Sequence, residues 1–258
     1  MNEHETELKR AARRALLSLD LTNLDEACDE AAVKALAARA FTSHGHVAAL
    51  CIWPRFVPLA HRLVGHRGVK IATVVNFPGG EEDAGAVADM TEQAVEDGAD
   101  EIDLVIPYRA FLEGREESVR TRVRRVRQAA GPRAKVKAIL ETGVLETTDR
   151  IRRAGELALD GGAHFLKTST GKVAVNATLR AARTMLETIR DAGGSAGFKA
   201  AGGVRTTQDA ANYLDLADEV MGEGWATPES FRIGASGLLD ALVETLEDRA
   251  AAKRAQGY

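Results

Sequence analysis

The feature that most constrains the fold of this chain is a regular alternation of short apolar segments and longer helical patterns. Eight segments rich in apolar or β-branched residues follow one another, in most cases at intervals of about 30 residues, which is the length of one strand–helix unit. The predicted strands are 47–53, 69–75, 101–106, 135–141, 164–169, 197–201, 219–221 and 232–235. The predicted helices are 3–18, 25–40, 84–97, 116–130, 148–160, 177–192, 207–214 and 237–250.

Eight strands in strict strand–helix order are typical of a closed parallel barrel. We therefore predict an α/β protein with a single (β/α)8 TIM barrel and an extra N-terminal helix, which lies in a helical segment at 1–45. The alternative is an open doubly wound sheet, which normally has a glycine-rich turn after its first strand. Here the first predicted strand runs into Trp53-Pro54-Arg55-Phe56 instead. Since no linker interrupts the pattern, 1–258 is predicted to be one domain that ends in a polar tail at 250–258.

Composition argues against several other classes of protein. The longest apolar run, 47–53, is far shorter than the ~20 residues of a membrane span, and the charged start at 1–10 has no apolar signal segment. A net charge of −4 and 12 aromatic residues do not favour nucleic-acid binding. Two cysteines, Cys28 and Cys51, are too few for a disulfide framework or a structural zinc site. We expect a cytoplasmic protein with reduced thiols that binds neither membranes nor nucleic acid.

Charged residues interrupt four consecutive predicted strands, although parallel strands covered on both faces are normally almost entirely apolar. A single lysine at a strand end can reach solvent, whereas an isolated buried charge costs several kcal/mol. Charges in four consecutive strands therefore indicate groups that are paired or that take part in chemistry. In chain order they are Asp103, Lys137, Glu141, Lys167 and Lys199.

Lys167 and Lys199 lie on neighbouring predicted strands, which are ~4.8 Å apart in a sheet. A lysine beside a second ammonium in a partly desolvated pocket has a lowered pKa, so it is partly neutral near pH 7 and can form a Schiff base with a carbonyl. The protonated imine stabilises a carbanion or enamine at the adjacent carbon without a metal. Asp103 would balance the charge and pass protons through water.

Seven of the 24 glycines of the chain lie in four loops that follow the late predicted strands. In a barrel, backbone N–H groups in these loops and a helix N-terminus often hold a phosphate. One such loop alone is compatible with an ordinary turn. Two loops together, with Lys172 and Arg205 nearby, favour a phosphate site. The loops are 168–172, 201–206, 222–224 and 234–237.

Three other functions are compatible with parts of this sequence. The pair His44 and His46 could belong to a metal-dependent hydrolase, but it precedes the first predicted strand and no matching ligands follow later strands, so we predict no metal site. A second alternative is a different sugar-phosphate enzyme on the same barrel, such as a transaldolase-like enzyme or an isomerase. An isomerase could use Glu141 as its base, but this leaves the two lysines unexplained. A non-catalytic sugar-phosphate-binding barrel would need the glycine loops and not the lysines.

The sequence resembles the deoxyribose-phosphate aldolases, a family of class I aldolases, over nearly its whole length. The two lysine-containing segments are highly specific as a pair. The matching segments are HFLKTSTGKVAVNAT at 164–178, GFKAAGGVRT at 197–206, GADEIDLVIPYRA at 98–110, ILETG at 139–143, CIWPRF at 51–56, VVNFP at 74–78 and FRIGAS at 231–236.

The resemblance implies reversible cleavage of 2-deoxy-D-ribose 5-phosphate into acetaldehyde and D-glyceraldehyde 3-phosphate, in deoxyribonucleotide breakdown and with no metal or other cofactor. It implies that Lys167 forms the Schiff base and that Lys199 is the second lysine, which lowers its pKa. It further implies that Asp103 relays protons with Lys137 behind it, and that the terminal Tyr258 takes part in proton transfer.

The resemblance also implies the residues around the substrate, a phosphorylated deoxy-sugar or a small aldehyde, and is compatible with a homodimer. The chain departs from the family pattern at Trp53, Ala200 and Gly237, where tyrosine, proline and serine are usual. The implied phosphate-binding residues are Gly171, Lys172, Gly202, Gly203, Arg205, Gly234 and Ser236. The implied substrate-lining residues are Asp20, Thr22, Cys51, Thr168 and Thr170.

Overall fold

Eight parallel strands close into a barrel in the computed structural model, which describes residues 3–248. The strands are β1 Leu19–Asn23, β2 Ala49–Ile52, β3 Lys70–Val75, β4 Glu101–Val105, β5 Lys135–Ile139, β6 Phe165–Lys167, β7 Gly197–Ala201 and β8 Phe231–Ala235. Strands consecutive in the chain are neighbours in the barrel, and β8 pairs with β1 to close it. The predicted (β/α)8 architecture is confirmed.

Helices cover the outside of the barrel, and the predicted extra helix, α1 Glu3–Leu17, precedes β1. It packs against α10 and α11, and Arg14 pairs with Asp218 of α10 at 2.6 Å. None of the helices in residues 3–248 is long and apolar enough to cross a membrane. The remaining helices are α2 Glu30–Arg39, α3 Val57–Val64, α4 Ala84–Glu96, α5 Tyr108–Leu112, α6 Glu117–Ala130, α7 Thr142–Leu145, α8 Thr148–Asp160, α9 Leu179–Asp191, α10 Thr207–Met221 and α11 Leu238–Leu246.

The number of strands was predicted correctly, but one barrel strand was missed and one predicted strand is part of a helix. The first barrel strand, β1, lies between the predicted helices 3–18 and 25–40, where no strand was predicted, and it contains the polar residues Asp20 and Thr22. Asp20 is nevertheless fully buried, since cations inside the barrel compensate its charge. Because β1 was missed, the predicted first strand, 47–53, corresponds to β2. The predicted strand 219–221 is instead the last turn of α10.

Side-chain caps explain where several helices begin. Asp29 accepts the backbone N–H of Ala32, so α2 begins at residue 30 rather than at the predicted residue 25. Thr206 and Asp209 form a capping box at the start of α10, which continues to residue 221 instead of ending at 214. Helix α8 has the predicted bounds.

The strand register places charged residues beside one another. Lys199 on β7 lies opposite Lys167 on β6 and opposite Arg232 on β8, and Asp103 on β4 lies opposite Lys137 on β5. Paired residues of adjacent strands point to the same face of the sheet. The carboxyl ends of the strands bring the loops after β6, β7 and β8 to one end of the barrel, where active sites of such barrels lie.

Candidate active site

Six charged side chains form a closed ring of hydrogen bonds inside the barrel, in which carboxylates and cations alternate. All six are at most 4% exposed. Because β4 and β8 lie on opposite sides of the barrel, the bonds between them pass through its interior. In order around the ring, which we call the charge ring, the residues are Asp103, Lys137, Glu101, Arg232, Asp20 and Lys199.

Asp103 is the point at which the charge ring meets Lys167. Its Oδ1 accepts from Lys137 Nζ at 3.0 Å, and its Oδ2 accepts from Lys199 Nζ at 2.8 Å. The same Oδ2 accepts from Lys167 Nζ at 2.7 Å. The two lysines therefore come close together as predicted, with one carboxylate oxygen between them. Lys137 lies behind Asp103, as the resemblance implied.

The far side of the ring consists of Asp20, Glu101 and Arg232. Arg232 donates to Asp20 Oδ1 at 2.7 Å through Nη1 and to Glu101 Oε1 at 2.6 Å through Nη2. Lys137 also donates to Glu101, and Lys199 donates to Asp20 Oδ2 at 2.5 Å. Each carboxylate in the ring thus accepts from at least two cationic groups, which offsets the cost of burying its charge.

The surrounding charges hold the ring residues in their ionised forms. Burial alone would raise the pKa of Asp103, but the three lysines around it outweigh burial and hold this pKa well below its usual range. Nearby cations lower the pKa values of Asp20 and Glu101 in the same way. Burial alone would lower the pKa of Lys199, but the carboxylates of Asp103 and Asp20 outweigh it and raise this pKa.

Lys137 and Arg232 follow the same pattern, because neighbouring carboxylates raise their pKa values against the effect of burial. The ring therefore contains three carboxylates and three cations, all ionised, and balances its own charge. Lys167 is a seventh charged group that shares Asp103 with two ring cations. Its ammonium form leaves the buried cluster with one excess positive charge.

Lys167 connects the charge ring to a cleft at the carboxyl ends of the strands. It is the last residue of β6, is 3% exposed and lines a cavity of about 260 Å³. All seven predicted phosphate-binding residues line this cavity, as do Thr22 and Thr170. The cavity therefore places a nucleophile at one side and glycine-rich loops at the other.

The loop after β6 is held in place by a buried carboxylate that follows β5. Glu141 accepts from Thr170 twice, at 2.6 Å from its hydroxyl and at 3.3 Å from its backbone N–H. Thr170 Oγ1 in turn accepts the backbone N–H of Lys172, whose ammonium donates to the Leu24 carbonyl at 2.9 Å. Glu141 adopts a left-handed backbone with φ of 57°, and burial raises its pKa. The sequence marked Glu141 as a charged residue but not as a support of this loop.

Gly234 has a role besides lining the cavity. A Cβ at this position would lie 2.9 Å from Cε of Lys199. The absence of a side chain therefore leaves room for Lys199 to reach Asp103 and Asp20. At Gly202, a left-handed φ of 82° and the neighbouring Asn176 side chain both disfavour a larger residue.

Three of the predicted substrate-lining residues do not line the cavity. Asp20 is a buried member of the charge ring. Cys51 is fully buried, and its Sγ lies 3.9 Å from Asp103 Oδ2, while burial raises the pKa of the thiol. Thr168 is also buried and exchanges hydrogen bonds with the Ala201 backbone at 3.0 and 3.1 Å. Tyr258 lies outside the described residues.

The histidine pair lies away from the cavity. His46 belongs to a short antiparallel hairpin of Phe41–Thr42 and Gly45–His46, before β2, and its ring bonds to the Val47 carbonyl. Within residues 3–248, no three His, Cys, Asp or Glu side chains are arranged to hold a metal ion. Both cysteines are free thiols.

Comparison with known proteins assigns the family. The model of the DeoC/LacD family aldolases matches residues 14–241. The chain belongs to this family. It is also 51% identical over 251 residues to the deoxyribose-phosphate aldolase of Agrobacterium fabrum, and the match covers 97% of both chains.

Solved structures of this aldolase family have the same fold. A protein from Toxoplasma gondii assigned as a deoxyribose-phosphate aldolase has a TM-score of 0.86 at 26% identity, with 94% of this chain and 99% of that chain covered. A protein from Coccidioides immitis with the same assignment has a TM-score of 0.79 at 28% identity, with 91% and 86% covered. The family membership identifies the chain as an aldolase, and thus as a lyase.

Sequence reasoning missed two members of the site, Glu101 and Arg232. Both had a signal in the sequence. Glu101 stands two residues before Asp103, so it points to the same face of β4, and Arg232 is a charged residue inside a predicted buried strand.

Proposed function

We propose that this chain cleaves 2-deoxy-D-ribose 5-phosphate reversibly into acetaldehyde and D-glyceraldehyde 3-phosphate through a Schiff base on Lys167. The observation that carries the proposal is the position of Lys167. Its Nζ lies 2.7 Å from a buried carboxylate, at the edge of a cavity lined by glycine-rich loops. The same cavity can hold a substrate with a carbonyl at one end and a phosphate at the other.

The first half of the reaction forms the imine. Neutral Lys167 attacks the C1 carbonyl carbon, and the resulting carbinolamine loses water to give a protonated imine. Asp103 is within hydrogen-bond reach of Nζ and can transfer protons between the amine, the departing hydroxyl and water. The raised pKa of Lys199 keeps a fixed positive charge on the other side of the same oxygen.

The second half breaks the bond between C2 and C3. The C3 hydroxyl gives up its proton, C3 becomes the aldehyde of glyceraldehyde 3-phosphate, and the bonding electrons pass to the imine to form an enamine. Protonation of the enamine at C2, followed by hydrolysis, releases acetaldehyde and regenerates Lys167. In this scheme the imine accepts the electrons, so no metal or other cofactor takes part. We assign the proton at C2 to the Asp103 network and to Tyr258.

The phosphate is proposed to bind at the loops after β6, β7 and β8. Glycines in these loops allow the substrate to approach backbone N–H groups closely, and α11 begins directly after 234–237. Lys172 and Arg205 add positive charge at the cavity wall. The departure at Gly237 removes one hydroxyl that other members of the family can offer. Two of the three reactants are sugar phosphates, which is consistent with an enzyme of the cytoplasm.

Replacement of Lys167 by Leu separates an aldolase from a sugar-phosphate-binding barrel. The proposal predicts that Lys167→Leu abolishes formation of acetaldehyde from 2-deoxyribose 5-phosphate while the variant still binds the sugar phosphate in calorimetry. Exposed Lys34→Leu, a matched control, should retain wild-type turnover. Undiminished turnover in Lys167→Leu would overturn the proposal.

A further inference from the structure

We infer that Glu101 and Arg232 are positioning residues that set the net charge of the buried cluster and thereby the pH at which Lys167 can form its Schiff base. The inference rests on the function proposed above. Neither Glu101 nor Arg232 lines the cavity that contains Lys167. Both line a different cavity, at the opposite end of the barrel, where β4 and β8 begin.

The charge ring provides the physical connection. From Lys167, hydrogen bonds run through Asp103 and Lys137 to Glu101, and from there to Arg232. Since the six ring residues balance one another, the ammonium of Lys167 is the excess charge. Electrostatic interactions are weakly screened in such a buried cluster. Each charge removed from the ring therefore changes the free energy of the Lys167 ammonium.

Other titratable groups also lie near Lys167. They keep one charge state across the working pH range, or they affect the wild type and the variants alike. Asp103 and Asp20 remain ionised because surrounding cations lower their pKa values. Cys51 on β2 remains a neutral thiol, because burial raises its pKa. Glu141, which follows β5, also faces Lys167. Lys137 and Lys199 complete this environment and remain protonated.

The sign of each effect follows from the charge count. Glu101→Gln removes a negative charge and makes the cluster more positive, so Lys167 gives up its proton more easily and activity persists to lower pH. Arg232→Met removes a positive charge, so the Lys167 ammonium is favoured and activity begins at higher pH. The double variant removes one charge of each sign and restores the original balance.

The test is the pH dependence of kcat/KM for cleavage of 2-deoxyribose 5-phosphate, because its acidic midpoint reports the essential base of the free enzyme. We expect Glu101→Gln to lower this midpoint by about one pH unit and Arg232→Met to raise it by about as much. The double variant should return to the wild-type midpoint. Arg232→Lys keeps the charge and alters only the geometry, so its midpoint should equal that of the wild type.

Asp20→Asn provides a second route if one of the single variants does not fold, as shown by circular dichroism. It removes a carboxylate elsewhere in the ring and should lower the midpoint as Glu101→Gln does. Equal midpoints in all folded variants, or shifts in the same direction for loss of either sign of charge, would overturn the inference. A wild-type protein without cleavage activity would instead overturn the proposed function.

Discussion

Lys167 and Lys199 lie opposite each other on neighbouring strands and donate to the same atom, Oδ2 of Asp103, at 2.7 and 2.8 Å. Two ammonium groups can share one oxygen in the core because that carboxylate stays ionised between them. Lys199 also pairs with Asp20, whereas the Nζ of Lys167 lies at hydrogen-bond distance from Asp103, which is close enough for proton exchange. Asp103 therefore accepts a hydrogen bond from each of the two lysines and stabilises both of their charges.

Replacement of Asp103 by Asn should remove most of the activity and part of the stability. The amide cannot accept a proton, so kcat should fall by about 10²-fold or more. Three lysine ammonium groups would also lose a shared charge partner, which costs about 3–5 kcal/mol when one member of a buried ion pair is removed. Steady-state kinetics and urea unfolding measure the two effects. In the control Asp191→Asn, which alters surface pairs with Arg190 and Arg152, both quantities should stay near wild type.

Gly234→Ala should disturb the site although it adds only a methyl group. The new Cβ would lie 2.9 Å from Lys199 Cε, so Lys199 must move away from its carboxylates. We expect a destabilisation of about 1–3 kcal/mol, measured by urea unfolding, together with a lower kcat. Gly79→Ala is the matched control, because Gly79 does not line the cavity and a Cβ there would meet only Glu81 Oε2, at 4.0 Å. Equal effects of the two substitutions would contradict this role of Gly234.

Glu141→Gln should weaken substrate binding more than it slows the chemical step. The carboxylate accepts two hydrogen bonds from Thr170, whereas an amide turns its NH₂ group toward one of these donors. A misplaced 170–172 loop should raise KM for 2-deoxyribose 5-phosphate about tenfold, with a smaller change for unphosphorylated 2-deoxyribose. Glu146→Gln is the control, since Glu146 also has a left-handed backbone but is exposed. A fall in kcat with unchanged KM would assign Glu141 a different role.

Hydrophobic periodicity predicted much of the architecture. The strands that it predicted wrongly or missed have physical explanations. Strand β1 was missed because its polar residues are buried against partners that are distant in sequence, and periodicity does not report such pairing. The 219–221 segment has strand-like residues but continues a helix whose capping box, formed by Thr206 and Asp209, lies ten or more residues earlier. Local pattern therefore located most strands, while burial of charge could be assigned only in three dimensions.

In the candidate site, too, local sequence pattern predicted some features, while others depend on contacts between distant residues. Charged residues in consecutive strands correctly predicted a cluster around Lys167 and Asp103, and the glycine loops predicted the cavity wall. The alternation of charge around the ring could not be predicted, because it depends on contacts across the barrel between β4 and β8. Gly234 was assigned to phosphate binding alone, since its contact with Lys199 depends on strand register.

Acid should destabilise the protein through His164. This ring accepts the Val136 backbone N–H through Nδ1, and burial together with Arg127 and Lys135 lowers its pKa to about 4 from 6.5. Between these values the unfolded chain binds a proton that the folded chain does not, so stability falls as the pH drops from 6.5 toward 4. Because the ring is only half-buried, solvent screens part of this effect, so the loss should reach about 2 kcal/mol in urea unfolding.

His164→Asn tests this assignment, because the amide oxygen can still accept the Val136 N–H but does not titrate. The variant should lose less stability than the wild type between pH 6.5 and 4. Identical pH dependences of the two proteins would show that another group is responsible.

The central claim, a Schiff base on Lys167, is tested most directly by reductive trapping. The protein is incubated with 2-deoxyribose 5-phosphate and sodium borohydride, and the modified peptide is identified by mass spectrometry. We predict one stable adduct, on the peptide that contains Lys167, and none in Lys167→Leu. An adduct on another lysine such as Lys199, or no adduct in an enzyme that turns over its substrate, would contradict the mechanism.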